Sequence, residues 1–244
     1  MEKIFIITVI FAGVMPLAFG EAYIQNDQKY IGEDGIFHIV GEIKNNLDVP
    51  LNQINILVTL LDENMQVIAT KETRSLVNTI MPEMKGPFDL VLTKNEAKKI
   101  KSYLLELDYK ISPPKNQVIE ITKSELSRDS YNNLLISGTV SNKGDITANT
   151  MAITATLYDK EGKVAAVSRV HPEPDYLRAE DKAFFLVPIQ DKSQTGGING
   201  YTLIAESEEY AAVPEFPVGT LVLLGGAFSV YIGVVRYSNN IITN

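Results

Sequence analysis

The chain has 244 residues, 22 basic and 30 acidic side chains, a net charge of −8, two histidines and no cysteine or tryptophan. The acidic balance repels phosphate backbones and excludes nucleic acid as a partner. The lack of cysteine excludes disulfides, thiol catalysis, iron–sulfur clusters and thiolate copper sites, so the fold must be held by core burial.

Lys3, the apolar run from Ile4 to Val14, the break at Pro16 and the small residues Ala18 and Gly20 form a secretory signal peptide over residues 1–20. The apolar run is short for a membrane span, which needs about 20 residues. Cleavage is expected between Gly20 and Glu21. It removes Glu2 and Lys3 together, so the mature chain keeps its net charge of −8. No Asn-x-Ser/Thr acceptor occurs, so N-glycosylation is not expected.

Residues 21–112 and 117–206 are expected to be two copies of one unit. Shifting the chain by 97 positions superimposes Gly41 on Gly138, Asn45 on Asn142, Asp48 on Asp145, Asn52 on Asn149 and Ile56 on Ile153. Thr59, Leu60, Asp62, Val67 and Ala69 likewise fall on Thr156, Leu157, Asp159, Val164 and Ala166. A one-residue deletion then sets Phe88 on Phe184 and Leu90 on Leu186. One insertion sets Tyr103 on Tyr201 and Leu105 on Leu203.

The matched segments Ile54 to Leu61 and Ala152 to Tyr158 read as strands, the second with clean alternation. Asp62-Glu63-Asn64 and Asp159-Lys160-Glu161-Gly162 read as hairpin turns. The loops at Asn45 to Asp48 and Asn142 to Asp145 carry amides and carboxylates that can bond local backbone. Thr93 with Glu96 makes a capping box, so a short helix is expected before the strand Tyr103 to Tyr109. Pro113 and Pro114 stiffen a linker over residues 113–116.

Residues 207–215 read as a short stalk. Phe216 to Val235 is free of charge for 20 residues, enough to cross a bilayer as a helix. Arg236 and a tail to residue 244 follow. Gly225, Ser229 and Gly233 share one face of that helix, a spacing that lets two membrane helices approach and form a homodimer. The signal peptide and Arg236 agree on orientation: body outside the cell, C-terminus in the cytoplasm.

Two family resemblances follow from these segments. Ile39-Val40-Gly41-Glu42-Ile43-Lys44-Asn45-Asn46 with Val58 to Asn64, and Ile136 to Asn142 with Thr156 to Gly162, resemble the FxLyD family of exported prokaryotic proteins. The naming triplet stands at Leu157-Tyr158-Asp159, with Leu61 in place of the tyrosine in the first copy. This resemblance implies an all-β fold of two tandem immunoglobulin-like β-sandwich domains beside the signal peptide and transmembrane helix, and it lends no catalytic residues. Val213-Pro214-Glu215-Phe216-Pro217-Val218-Gly219, an apolar run and Arg236 resemble the PEF-type C-terminal sorting signals of archaeal surface proteins. The sorting motif is then Pro214, Glu215, Phe216 and Pro217. It implies a sorting enzyme, an archaeosortase, that removes the span and attaches a lipid. A retained span is the alternative, and either leaves the protein at the membrane.

Chemistry is sparse. His38 sits in a strand and His171 in a loop, neither with a second ligand at metal spacing. No Gly-x-Ser-x-Gly occurs. Glu206, Glu208 and Glu209, and Glu173 with Asp175, read as solvated surface rather than as paired acids across a cleft. Calcium is the one cofactor with candidate ligands, at Asn142, Asp145, Asp159, Glu161 and the backbone near Gly162. Turns use the same residues for their own backbone, so no cofactor, metal or catalytic residue is assigned. Tyr158, Tyr201 and Phe185 read as core. The expected function is a non-enzymatic, membrane-anchored surface protein for adhesion, envelope assembly or partner binding, its partners being other surface or membrane proteins. An accessory subunit of a membrane complex and an anchored hydrolase are the alternatives.

Overall fold

In the computed structural model the described residues are 20–189 and 191–215. The signal segment before Gly20, the sorting residues Phe216 and Pro217, the expected span and its face at Gly225, Ser229 and Gly233 lie outside them. Among the described residues no helix is long and apolar enough to cross a membrane.

The fold is all-β with antiparallel sheets. The first unit runs β1 (Ala22–Ile31), β2 (Phe37–Asn45), β3 (Leu51–Leu61), β4 (Val67–Arg74), β5 (Thr79–Ile80), β6 (Lys85–Leu92), α1 (Lys94–Ala97) and β7 (Ser102–Ile111). The second runs β8 (Ile119–Arg128), β9 (Leu134–Asn142), β10 (Ala152–Tyr158), β11 (Val164–Val170), β12 (Lys182–Ile189), α2 (Lys192–Thr195), β13 (Gly200–Glu206) and β14 (Val213–Glu215). Sheets β1-β2-β6 and β4-β3-β7, with β5 also on β3, share one core in a β-sandwich-like arrangement. Sheets β12-β9-β8 and β11-β10-β13-β14 share the other. The expected capping box opens α1: Thr93 and Glu96 satisfy each other's backbone amides.

The internal repeat is structural. Asn45 and Asn142, both fully buried, each bond three backbone groups across a loop. Asn142 Nδ2 donates to the carbonyls of Ile146 (2.8 Å) and Leu177 (3.0 Å), and its Oδ1 accepts from Gly144 N (2.9 Å). Asn45 makes the same set to Val49, Ile80 and Leu47. The loop therefore keeps its path because a buried amide fulfils the backbone groups that water would otherwise take. In both hairpins one aspartate oxygen caps two amides, Asp62 for Asn64 and Gln66, Asp159 for Glu161 and Lys163.

Glycine is required at Gly41 and Gly138 because an aromatic ring lies across the backbone. A Cβ on Gly138 would meet Phe185 at 2.4 Å, and one on Gly41 would meet Phe88 at 2.7 Å. This pairing corrects the register expected at the sixth strand of the repeat. Gly41 pairs with Phe88 and Gly138 with Phe185, so the 97-residue shift continues without a deletion. Phe185 is buried, whereas Phe184 and Leu186 face outward at 63% and 47% exposure. The insertion before the last strand does occur: Leu60 pairs with Tyr103 and Leu157 with Tyr201.

The residues expected to form a stalk are instead part of the body. Tyr210 enters the second core, its hydroxyl accepting from Ile146 N at 3.2 Å. Ala211 and Ala212 enter the first core. Val213–Glu215 pair with β13. Apolar side chains on an otherwise acidic segment have a buried destination, and the backbone follows them.

Replacing Asn142 by alanine leaves Leu177 O, Ile146 O and Gly144 N without their partner. The expected loss is about 3 kcal/mol of unfolding free energy, read from a urea transition, and Asn45→Ala should cost a similar amount.

Candidate functional site

The distinctive chemistry lies at the junction of the two units. Glu42, on β2, is almost fully buried. Its carboxylate accepts from Gln25 Nε2 (2.8 Å), Asn26 Nδ2 (2.7 Å) and Lys85 Nζ (2.7 Å), all within the first unit. The fourth donor is Tyr158 Oη of the second unit, at 2.7 Å. Lys85 also stands over the Tyr158 ring, 5.6 Å from its centre. Burial pushes the Glu42 carboxyl up, and the donors from Lys85, Tyr158 and Gln25 more than reverse it, leaving its pKa below the ordinary value.

Glu206, on β13, answers from the other side. It is equally buried and accepts the Asn78 amide of the first unit, at 2.9 Å and 3.1 Å to its two oxygens. Arg169 approaches at 3.2 Å. Burial raises its pKa, and the charge of Arg169 with the amides of Asn78 and Thr79 does not cancel that rise. Gln28 Nε2 to Val164 O (2.7 Å) and Thr154 Oγ1 to Leu76 O (3.4 Å) also cross the seam, while Ile204 packs into the first core.

Beside this seam is a cleft of about 500 Å³. Tyr30, Asp34, His38 and Asp89 line it from the first unit, and Ser168 and Asp191 from the second. His38 stacks on Tyr30, ring centres 4.8 Å apart, and its Nδ1 contacts Asp89 at 2.9 Å. The hydrogen bond to Asp89 raises the His38 pKa above its ordinary value against the opposing effect of burial. This is the orienting half of a base-catalytic arrangement. The other half is missing among the described residues: Ser168 Oγ donates to Pro188 O at 3.1 Å. Its charged lining residues are Glu33, Asp34, Asp89 and Asp191 beside His38, so the cleft suits cationic or hydrogen-bond-donating groups.

The remaining candidates from the sequence are dispersed. His171 Nδ1 donates to Met151 O at 2.7 Å in the second unit, away from His38. Glu209 accepts from Asn149 and Ser207, and Glu208 from Thr150. Glu173 and Asp175 are exposed. Glu206, expected with Glu208 and Glu209 to be solvated surface, is instead buried against the first unit. Tyr158 is likewise a junction residue and only partly buried, whereas Tyr201 and Phe185 are core. Large apolar side chains do reach solvent, at Tyr131 (78%) as well as Phe184. For calcium, Asp159 Oδ1 and the Asn142 amide are taken by backbone, and no group of three or more His, Asp or Glu able to hold a metal occurs among the described residues. Pro214 and Glu215 sit in β14, opposite Ile204 and Leu203.

No family model and no curated protein matches the chain. Among solved structures it is similar to an exo-chitosanase of Amycolatopsis orientalis, at 8% identity and a TM-score of 0.31, over 80% of this chain and 26% of that one. It is also similar to a red sea bream transglutaminase, at 10% identity and a TM-score of 0.26, over 81% of this chain and 31% of that one. The chain thus spans about a third or less of each, and likeness at this level carries no functional argument.

Two measurements address the junction. Removing the Tyr158 hydroxyl (Tyr158→Phe) should cost about 1 kcal/mol, and a double-mutant cycle with Glu42→Gln should give coupling of about the same size across the seam. In a proton NMR titration His38 should show a midpoint above 6.5, and Asp89→Asn should lower it. Because the folded-state pKa is raised, the His38–Asp89 contact stabilises fully below pH 6.5, and that contribution is lost as pH rises through the folded midpoint.

Proposed function

We propose that this protein is a non-enzymatic display protein of the cell exterior. It is exported by its signal peptide, held at the membrane through its C-terminal segment, and carries two immunoglobulin-like β-sandwich domains that bind other surface or membrane proteins. The observation that carries this reading is the reciprocal seam. Glu42 takes a donor from the second unit and Glu206 takes one from the first. A pair joined this way presents its outer edges at a set angle, which suits recognition of a partner.

The expected address is the membrane, with the ectodomain outside. Fractionation of the native cells with N-terminal sequencing should place the protein in the membrane fraction with Glu21 as its first residue. Full-length protein in the cytosol, with residues 1–20 attached, would sink the proposal. Mass spectrometry of the same sample decides the C-terminus: a peptide covering residues 219–236 indicates a retained span, and its loss with a lipid-modified C-terminus indicates the sorting enzyme.

A further inference from the structure

The two copies differ at one sheet edge. In the second unit β13 is flanked by β10 on one side and by β14 on the other. In the first unit the counterpart β7 is flanked by β3 alone, and among the described residues no strand pairs with its other side. Burial records the difference. Leu203 and Ala205, opposite β14, are fully buried. Their counterparts Leu105 and Leu107, 98 residues earlier, are only partly buried. They line a groove of about 340 Å³ between β7 and β1, with Ile24 and Asp27 on its far wall. The groove has the place that β14 fills in the second copy. The walls even share a contact: Tyr103 Oη donates to Asp27 at 2.6 Å, and Tyr201 meets Ser124 at 3.1 Å.

We infer that the β7 edge is a strand-addition site, filled by an extended segment of another protein that runs antiparallel to β7 over Tyr103 to Leu107. Unpaired backbone groups of an edge strand supply affinity, and the apolar floor supplies selection. Inward side chains of the incoming strand are apolar, to cover Leu105 and Leu107. Outward ones are basic, because the charges beside the middle of the groove are Asp27, Glu106 and Asp108. Lys29, whose ammonium reaches the Lys101 carbonyl, and Lys110 are not among the residues that line the groove. The partner is therefore a cationic, β-competent peptide segment. This site deepens the partner-binding reading, on which it rests.

The test is hydrogen exchange on the full-length protein in detergent micelles, read by mass spectrometry over residues 103–109. The probes are blocked heptapeptides alternating valine with lysine and valine with glutamate. At about ten times its Kd, the valine–lysine peptide should slow exchange of the β7 amides about tenfold. The double variant Glu106→Lys/Asp108→Lys, both positions exposed, should lose that response and acquire one to the valine–glutamate peptide. An unchanged urea midpoint shows that the variant is folded. Exchange that no peptide slows, or that both peptides slow equally in wild type and variant, overturns the proposal. So does exchange already slow without peptide: independence of protein concentration means that this chain's own residues cover the edge, and dependence on it means that a second copy does. Capture of partners by the native protein with β7 left unprotected would remove this site while leaving the display reading intact.

Discussion

A carboxylate taken out of water must be met by donors, and the halves of this molecule are joined where each contributes one such carboxylate to the other. Glu42 has three donors from its own unit and a fourth from Tyr158. Glu206 has the Asn78 amide and Arg169. A buried pair gives little net stability over apolar packing, but removing one partner leaves a charge or dipole stranded and costs several kcal/mol. The seam therefore penalises other arrangements of the two units more than it strengthens this one. Apolar contact from Ile204, Ala211 and Ala212 supplies the attraction, and the carboxylates set the angle.

The two carboxylates respond to acid in opposite senses. Glu42 has a lowered pKa, so its contribution is complete above the ordinary glutamate value and is lost as pH falls through the folded one. Glu206 has a raised pKa, so its contribution is present below the ordinary value and is lost as pH rises through the folded one. The reason is donor supply. Glu42 is met by four side-chain donors, one of them the Lys85 ammonium. Glu206 depends on backbone amides fixed by a neighbouring unit, and Arg169 remains partly exposed at the rim.

Much of the fold was legible because turns and core carry the repeat. Asn45 and Asn142, Asp62 and Asp159, and Gly41 and Gly138 each do one physical job twice, so identity survived and fixed spacing exposed it. The error at Phe184 arose where identity misleads. Both Phe184 and Phe185 are aromatic, and only the alternation of β12 against β9 decides which one faces Gly138. The seam was not legible, because nothing local marks Glu206 among Ser207, Glu208 and Glu209. Its burial is a property of the docked first unit. The His38–Asp89 pair spans 51 positions but is a diagonal neighbour across β2 and β6, since His38 pairs with Val91. Strand registers written side by side would have shown it, whereas a search for ligand spacing along the chain could not.

The copies diverge where they meet each other. The counterpart of Glu42 is Thr139, that of Tyr158 is Leu61, and that of Glu206 is Asp108. Leu61 is buried where Tyr158 reaches across the seam, and Asp108 is exposed where Glu206 is enclosed. A tandem repeat of identical units would present the same faces to each neighbour and could continue without end, which is the heterologous geometry that produces filaments. Here the second copy's outer face is spent on the first, and β14 closes its edge with a proline-containing strand, a residue that edge positions tolerate. Among the described residues nothing pairs with the equivalent edge of the first copy, and Asp108 on the equivalent face is exposed. The asymmetry is thus directional: the second unit carries the residues that hold its neighbour, and their counterparts in the first unit, Leu61 and Asp108, do not.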